Sequence, residues 1–227
     1  MSVALRQEGD NGAALPHGEA AARIVGALAY ALLRVFQLSA AVSRTAPSIS
    51  LQERQSAFAV EEFERYQILR RRLAALTADP EVAMAQFRDA LDFFYDAAPT
   101  ATWLDAQVFQ YVGDAISTDF ADLIGPHLDE KTAASVRDAL AGRAAHEAFA
   151  LEQILTVLGT DPGVEERVSG VTGMIVGNAL GRLREALLAS DALAVVLGGE
   201  EEVKELVLEL LGRHRERLER MGLDRVD

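Results

Sequence analysis

The sequence contains no cysteine, which excludes disulfide bonds, thiolate metal sites, iron–sulfur clusters and cysteine nucleophiles. It also has few basic residues: 22 Lys and Arg stand against 35 Asp and Glu, which gives a formal net charge of −13 over 227 residues. Affinity for nucleic acid comes largely from positive charge that neutralises phosphates. The composition therefore predicts no DNA binding and disfavours RNA as a partner.

Several common sequence signals are missing as well. There is no glycine-rich nucleotide-binding loop of the G-x-x-x-x-G-K-[ST] or G-x-G-x-x-G type, and no G-x-S-x-G motif of serine hydrolases. Residues 1–17 have no basic segment leading into an apolar one, and the most apolar run, residues 24–42, is interrupted by Arg34 and Gln37. These absences predict a cytoplasmic protein without a signal peptide or a membrane-spanning helix.

Proline is scarce, and its positions divide the chain into helices. All six prolines fall between long segments with helical periodicity, where helices begin or end. No segment shows the apolar–polar alternation and β-branched character of a strand. The predicted helices are residues 18–46, 50–78, 80–98, 101–124, 129–159, 161–189 and 200–221, with a short turn of helix from Asp191.

Capping residues support these boundaries. Ser50 and Glu53 have the spacing of a capping box, while Asp79 and Asp129 are predicted N-caps. Several predicted helices are about 24–29 residues long, and short connections between them favour an antiparallel four-helix bundle with additional C-terminal helices. We predict one all-α domain over residues 18–222, between a disordered tail of residues 1–17 and a second tail of residues 223–227.

A few charged residues interrupt the apolar faces of these helices. An unpaired charge inside a bundle is costly, so such groups normally find a counter-charge or a metal ion. Either the helices are partly exposed and the charges reach water, or the charged residues converge on one buried polar cluster. The residues concerned are Glu62 and Arg65 on the second helix, Asp114 or Asp119 on the fourth, and Arg143, His146 and Glu147 on the fifth.

Short motifs along residues 29–197 are similar to those of a known family. They are Glu62-Phe63-Glu64-Arg65-Tyr66-Gln67-Ile68-Leu69-Arg70, Trp103-Leu104, Tyr111-Val112-Gly113-Asp114, Asp119-Phe120, His146 with Phe149-Ala150, and Ser190-Asp191-Ala192-Leu193-Ala194. Together with long antiparallel helices that carry inward acids, these motifs resemble the ferritin-like superfamily. Within it they resemble the actinobacterial branch of the tRNA isopentenyl-adenosine hydroxylase-like family.

The resemblance implies a dimetal site in which two iron ions activate oxygen. One helix supplies a Glu, a second Glu-x-x-His, a third an acid and a fourth acid-x-x-His. This sequence departs from that pattern at several positions. The first helix offers no acid after Glu19, Arg65 stands where the resemblance places a histidine, and Arg143 stands where it places an acid.

Arginine cannot ligate a metal ion, but its charge can replace that of one. A guanidinium binds carboxylates in its plane, so it satisfies the acids that iron would hold. We therefore predict a relict, metal-free site in which Glu62 and the fourth-helix acid pair with Arg65 and Arg143.

Two functions from different classes follow from these patterns. The first is a non-catalytic role without a cofactor, in which the bundle is structural, binds a partner or binds a small apolar ligand. The second is an oxygen-dependent diiron oxidase or hydroxylase like the resembled family. Its iron ligands would be Glu62, Asp114 or Asp119, Glu147 and His146, and a mononuclear site would use Glu62, His146 and Glu147. The ligand count favours the first function.

Gly173, Gly177 and Gly181 recur once per turn on one face of the predicted sixth helix. Glycine destabilises a helix by about 1 kcal/mol relative to alanine, so a reason for its repeated use is expected. We predict close packing of this face against another helix of the same chain. The alternative is the interface of a homodimer.

Overall fold

The computed structural model describes residues 15–160 and 163–223, and the regular elements in these ranges are all helical. The predicted all-α class is therefore confirmed. The helices are α1 (His17–Val42), α2 (Ile49–Leu76), α3 (Pro80–Ala85), α4 (Arg88–Asp96), α5 (Trp103–Ile124), α6 (Glu130–Leu140), α7 (Arg143–Leu158), α8 (Val164–Ala189), α9 (Ala192–Leu197) and α10 (Glu200–Met221). Most of the two predicted tails, and the predicted helix start at residues 161–162, lie outside the described residues.

Polar caps fix where most of the central helices begin. The Asp79 side chain accepts a hydrogen bond from the Val82 N–H, and the Asp129 side chain accepts from the Thr132 N–H, so both N-caps are confirmed. The capping box predicted at Ser50 is wrong. Ser48 has an extended backbone and its hydroxyl accepts from the Leu51 N–H at 3.3 Å, so α2 begins before the predicted box.

Two predicted helices are each divided in the structure. Predicted residues 80–98 form α3 and α4, with a turn at Phe87, a position that no proline or glycine marks. Predicted residues 129–159 form α6 and α7, because Gly142 has φ of +81° and ends the first of them. This left-handed conformation suits glycine, which has no Cβ. The second break places Ala141 and Gly142 beside α2.

Four long stretches of helix form the bundle. α1 packs along α2, α5 packs along α7, and α6 packs against α2, so α1, α2, α5 and the α6–α7 pair surround one interior. α8 and α10 lie against α5, while α9 lies against α1. The additional C-terminal helices therefore cover the bundle, as the sequence predicts. Apolar side chains fill the interior in two clusters, one of which involves α1, α2 and α9 and the other α4, α5, α7 and α8.

One glycine on α1 permits a direct contact between two backbones. A Cβ atom placed on Gly26 would lie 2.6 Å from the carbonyl oxygen of Ala83 on α3, which is closer than real Cβ contacts come. The absence of a side chain at Gly26 therefore sets the distance between α1 and α3. Because α3 leads directly into α4, this contact also fixes where α4 begins.

The first helix is the one element in the described ranges that is both long and strongly apolar. The segment His17–Thr45 is long and apolar enough to cross a membrane by length and composition, and 50% of its most apolar window is buried within the fold. A core helix of a globular bundle meets the same criterion. α1 packs against α2, α3, α4, α5 and α9, so its apolar surface has protein partners.

Candidate functional site

A buried glutamate on α2 lies at the centre of the bundle interior. Glu62 has no exposed surface, and its Oε1 accepts a hydrogen bond from Arg65 Nη1 at 2.7 Å. Arg143 Nη1 on α7 donates to both carboxylate oxygens of Glu62, at 3.2 Å and 3.1 Å. His146 Nδ1, one turn further along α7, lies 3.4 Å from the same Oε1. We call these four residues the Glu62 cluster.

The two arginines of the Glu62 cluster are as buried as the carboxylate that they bind. Arg65 is 5% exposed and Arg143 is 4% exposed, so neither guanidinium reaches bulk water. Arg65 also donates from Nε and Nη2 to the carbonyl oxygen of Ala141, at 3.3 Å and 3.1 Å. Its Nη2 further donates to Glu61 at the edge of the cluster. Arg65 therefore joins α2 to the break between α6 and α7.

Aromatic stacking holds the histidine of the cluster. The His146 ring lies over the Phe58 ring, with 4.4 Å between centroids and 13° between planes. Phe58 in turn packs against Phe149 on α7. The histidine is thus fixed on one side by an aromatic ring and on its Nδ1 side by the Glu62 carboxylate.

The electrostatic balance keeps Glu62 ionised. Burial raises the pKa of this carboxyl, but the positive charges of Arg143 and Arg65, together with the His146 hydrogen bond, outweigh burial and lower the pKa to about 2. The two guanidinium groups therefore compensate the buried negative charge of the Glu62 carboxylate.

A second buried acid lies near the cluster on α5. Asp114 is 1% exposed, and neither of its carboxylate oxygens has a hydrogen-bond partner among the described residues. Burial raises its pKa to about 8; attraction to Arg143 opposes this rise, and repulsion from Glu62 adds to it. Asp114 is therefore mostly protonated at neutral pH. Burial likewise raises the pKa of the neighbouring Tyr95.

The other candidate acid on α5 belongs to a different site. Asp119 binds Arg217 of α10 through both guanidinium Nη atoms, one of them at 2.9 Å, and lies 3.5 Å from Arg213. The prediction that the fourth-helix acid pairs with Arg65 and Arg143 is thus wrong for Asp119. It is also wrong in detail for Asp114, which is attracted to Arg143 but makes no hydrogen bond within the described part of the chain.

The last predicted residue of the group is only half-buried. Glu147 on α7 contributes a negative charge near Arg143 and Arg217, but it has no hydrogen bond or ion pair with the residues that the structure describes. Its neighbour His146 takes the inward position instead. The structure therefore brings together Glu62, Arg65, Arg143 and His146, places Asp114 beside them, and leaves Glu147 at the margin.

Neutral polar residues extend the polar interior beyond the charged ones, and the sequence did not single them out as site residues. Gln107 on α5 donates to Gln55 on α2 at 3.3 Å, and Gln110 donates to Ser39 on α1 at 3.0 Å. All four are buried. Gln107 and Gln110 lie on the same face of α5 as Asp114, and this shared face could have identified them. A helical wheel of α5 does not make the face evident, because most of its residues are apolar.

The donor set does not fit a dimetal centre. Both oxygens of Glu62 accept hydrogen bonds from guanidinium groups, which take the positions that metal ions would need. The buried residues of α1 include no acid. Among the side chains that the structure describes, those of residues 15–160, 163–182 and 190–223, no group of three or more His, Asp or Glu is placed to hold a metal ion.

A separate apolar cavity lies beside α5. Its volume is about 200 Å³, and its walls come from α1, α4, α5, α8, α9 and α10. Most of its lining is aliphatic or aromatic, including Ile24, Leu28, Phe94, Phe120, Val176 and Leu210. The few polar side chains that the structure describes on its walls are Ser117, Arg182, Ser190 and His214.

The glycine face of α8 has no close neighbour, so the prediction of close packing within the chain is wrong. A Cβ atom on Gly173, Gly177 or Gly181 would meet no atom of the described structure within 4 Å. Gly173 and Gly177 are exposed, as is Met174 beside them. The opposite face of α8, with Val168 and Ile175, is the one that packs on the bundle. Pairing of two chains through the glycine face stays a prediction.

The fold and the Glu62 cluster together define a ferritin-like helical bundle with a buried carboxylate that two arginines bind. Comparison with known families agrees with this class. The chain belongs to the family described as ferritin-like domain of actinomycetes, whose family model matches residues 17–200, from the start of α1 to the start of α10. No curated protein matches the chain. The predicted superfamily is confirmed, while the closer likeness to the tRNA hydroxylases stays a prediction.

Proposed function

We propose that this protein is a metal-free ferritin-like bundle that binds a small, uncharged, apolar molecule in the cavity between α5 and α8. The observation that carries the proposal is the cavity itself, about 200 Å³ in volume and lined mainly by aliphatic and aromatic side chains. Pockets of this kind, concave and apolar with a few polar groups, are where small ligands bind in most proteins.

The size of the cavity restricts its ligand. A cavity of about 150 Å³ lined by Leu, Ile and Phe stays dry and binds benzene. A cavity of about 200 Å³ therefore suits one aromatic ring with one or two small substituents.

The charges around the cavity favour an uncharged ligand. Among the side chains that the structure describes, no carboxylate lines it, and the guanidinium of Arg182 lies over the Phe93 ring, 4.3 Å from its centroid. Burial, followed by the nearby positive charge of Arg217, lowers the pKa of His214, so its ring is neutral at physiological pH. The cavity therefore offers apolar surface and neutral hydrogen-bonding groups.

In this proposal the Glu62 cluster is structural and not catalytic. Its arginines bind the carboxylate that would hold iron in a dimetal relative, and they link α2 to α7 and to the α6–α7 break. The buried charge is compensated without an ion. The diiron hydroxylase alternative requires Glu62, Asp114 or Asp119, Glu147 and His146 to ligate metal, yet Asp119 binds Arg217 and Glu62 binds two arginines.

Metal content separates the two functions directly. We would incubate the purified protein anaerobically with excess ferrous iron, desalt it and measure iron per chain by elemental analysis. The proposal expects a value near zero. Two irons per chain would support the hydroxylase, and one would support the mononuclear site on Glu62, His146 and Glu147.

Ligand binding is tested with p-xylene, which has the expected size and no charge. Saturating p-xylene should raise the melting temperature, because a ligand that binds only the folded state stabilises it. Ala179→Leu adds a larger side chain to the cavity wall and should abolish the shift. Ala74→Leu, on the exposed face of α2, is the matched control and should keep it. An equal shift in both variants, or none in the wild type, would contradict ligand binding in this cavity.

A further inference from the structure

A single serine lies where the apolar cavity meets the polar interior. Ser117 on α5 lines the cavity, and it also lines a smaller void of about 20 Å³ that extends between α1, α2, α5 and α6 as far as Arg143. Leu28 and Ala31 on α1 form the rest of the shared wall. Ser117 therefore marks the inner end of the cavity, on the side of the Glu62 cluster.

The hydroxyl group of Ser117 has unused hydrogen-bonding capacity. Its Oγ lies 3.5 Å from the hydroxyl oxygen of Tyr95, at the limit of a hydrogen bond. Each hydroxyl has one donor and two acceptor sites, so this long contact leaves both groups able to bind a further partner. Tyr95 keeps its proton because burial raises its pKa.

The other polar groups on the cavity wall are less suited to position a ligand. The hydroxyl of Ser190 accepts a hydrogen bond from the Ala192 N–H at 3.2 Å, just before the short helix α9. Arg182 stacks on Phe93, and His214 lies on α10 at the opposite wall. Of the polar groups described on the cavity wall, only Ser117 also lines the interior void.

We infer that the ligand of this cavity is a small phenol-like molecule, apolar apart from one hydroxyl group, which exchanges hydrogen bonds with Ser117 at the inner end. This inference rests on the proposed function and specifies the class of its ligand. The small void next to Ser117 has room for about one water molecule. A water there would connect the ligand hydroxyl to the polar interior.

The expected selectivity is modest and measurable. A site that hydrogen-bonds a hydroxyl discriminates against an analogue that lacks it. For one neutral hydrogen bond the discrimination is about fivefold in affinity. Apolar walls alone favour the more apolar of two ligands. The informative quantity is therefore the change in the ratio of the two dissociation constants when the Ser117 hydroxyl is removed.

The test compares p-cresol with p-xylene, which have similar shapes and differ by a hydroxyl in place of a methyl group. Dissociation constants for both would be measured by calorimetric titration of the full-length chain, in the wild type and in Ser117→Ala. We expect the substitution to weaken p-cresol relative to p-xylene by about fivefold. Alanine is a good helix former, so α5 should stay intact.

The matched control is Ser56→Ala on the exposed side of α2, whose hydroxyl bonds only to the carbonyl of Gln52 among the described residues. This variant should leave the ratio of the two dissociation constants unchanged. If both ligands bind and the ratio is the same in wild type and Ser117→Ala, the phenol-like class is wrong while the proposed function survives. If neither ligand binds the wild type, the proposed function fails and this inference fails with it.

Discussion

Arg143 lies 81 residues after Glu62 in the chain, and its Nη1 donates to both oxygens of the Glu62 carboxylate at 3.2 Å and 3.1 Å. Arg65 completes the arrangement from the same helix as the glutamate, at 2.7 Å. The bundle therefore contains a carboxylate that is held by two cations and shielded from water. In ferritin-like dimetal proteins, carboxylates that project into the bundle bind metal ions, whereas here two arginines bind the inward carboxylate.

Removing one arginine should reveal how strongly this compensation stabilises the fold. Arg143→Met leaves the buried Glu62 with Arg65 alone and should lower the free energy of unfolding by about 3–5 kcal/mol. Urea unfolding at pH 7, followed by circular dichroism, measures the change. Arg88→Met removes an exposed arginine on α4 and should leave the unfolding midpoint unchanged. A loss below 1 kcal/mol in Arg143→Met would contradict a structural role for the cluster.

Asp114 should make the protein less stable as the pH rises. Its pKa is about 8 in the folded state and near 3.8 when exposed, so between these values the folded protein holds a proton that the unfolded chain has lost. The free energy of unfolding then falls with increasing pH, by at most about 1.4 kcal/mol per pH unit. Asp114→Asn removes this titration. Its stability relative to wild type should therefore increase from pH 4 to pH 8 and level off above.

Urea titrations at several pH values would measure that difference. Asp138→Asn, which removes an exposed carboxylate from α6, controls for the loss of one negative charge. If the difference between Asp114→Asn and wild type is the same at pH 5 and pH 8, Asp114 is already ionised in the folded protein.

Two substitutions should convert the Glu62 cluster into a metal site. Arg65→His and Arg143→Glu together would place Glu-x-x-His on both α2 and α7, the pattern that binds two metals in ferritin-like bundles. We expect the double variant to bind at least one Co²⁺ per chain, with visible absorption bands, and the wild type to bind none. Adding His146→Ala should weaken this binding. A folded double variant without affinity for Co²⁺ would show that the backbone does not have dimetal geometry.

Alanine substitutions on the glycine face of α8 should have different effects in a monomer and in a homodimer. Gly173→Ala and Gly177→Ala add methyl groups where the described structure has no atom within 4 Å, so in a monomer each should stabilise the fold by about 1 kcal/mol. Light scattering after size exclusion, together with thermal unfolding, would report both mass and stability. A larger mass for the wild type that decreases in the variants would instead support the homodimer. Gly212→Ala on α10 has equally open surroundings and is the matched control.

The helices of this fold could be predicted mainly because proline and capping residues mark their ends. Asp79 with Pro80, and Asp129, begin helices where the sequence placed them. The break at Phe87 could not be predicted, because the turn contains neither proline nor glycine and depends on packing. The break at Gly142 had a signal, since glycine often ends a helix, but the periodicity of residues 129–159 continues through it.

The sequence predicts which charged residues belong to the site, but it does not predict all of the pairs that they form. The sequence predicts that Arg65 and Arg143 pair with Glu62, and both donate hydrogen bonds to its carboxylate. The choice between Asp114 and Asp119 could not be made, because α5 is buried on almost every side and a helical wheel then has no clear outer face. Asp119 is paired by Arg217 from α10, a contact between residues 98 positions apart that local spacing cannot show.

The carbonyl oxygen of Ala141 can accept side-chain hydrogen bonds because the helix is interrupted between α6 and α7. In an unbroken helix the N–H of Ala145 would take this oxygen, but here that N–H bonds to Gly142 and the oxygen accepts both hydrogen bonds from Arg65. The interrupted helix and the Arg65 side chain are therefore complementary parts of one arrangement. Replacing Arg65 removes both hydrogen bonds to the Ala141 carbonyl, so a metal site made by side-chain changes alone should bind more weakly than one built where the helix continues through residue 142.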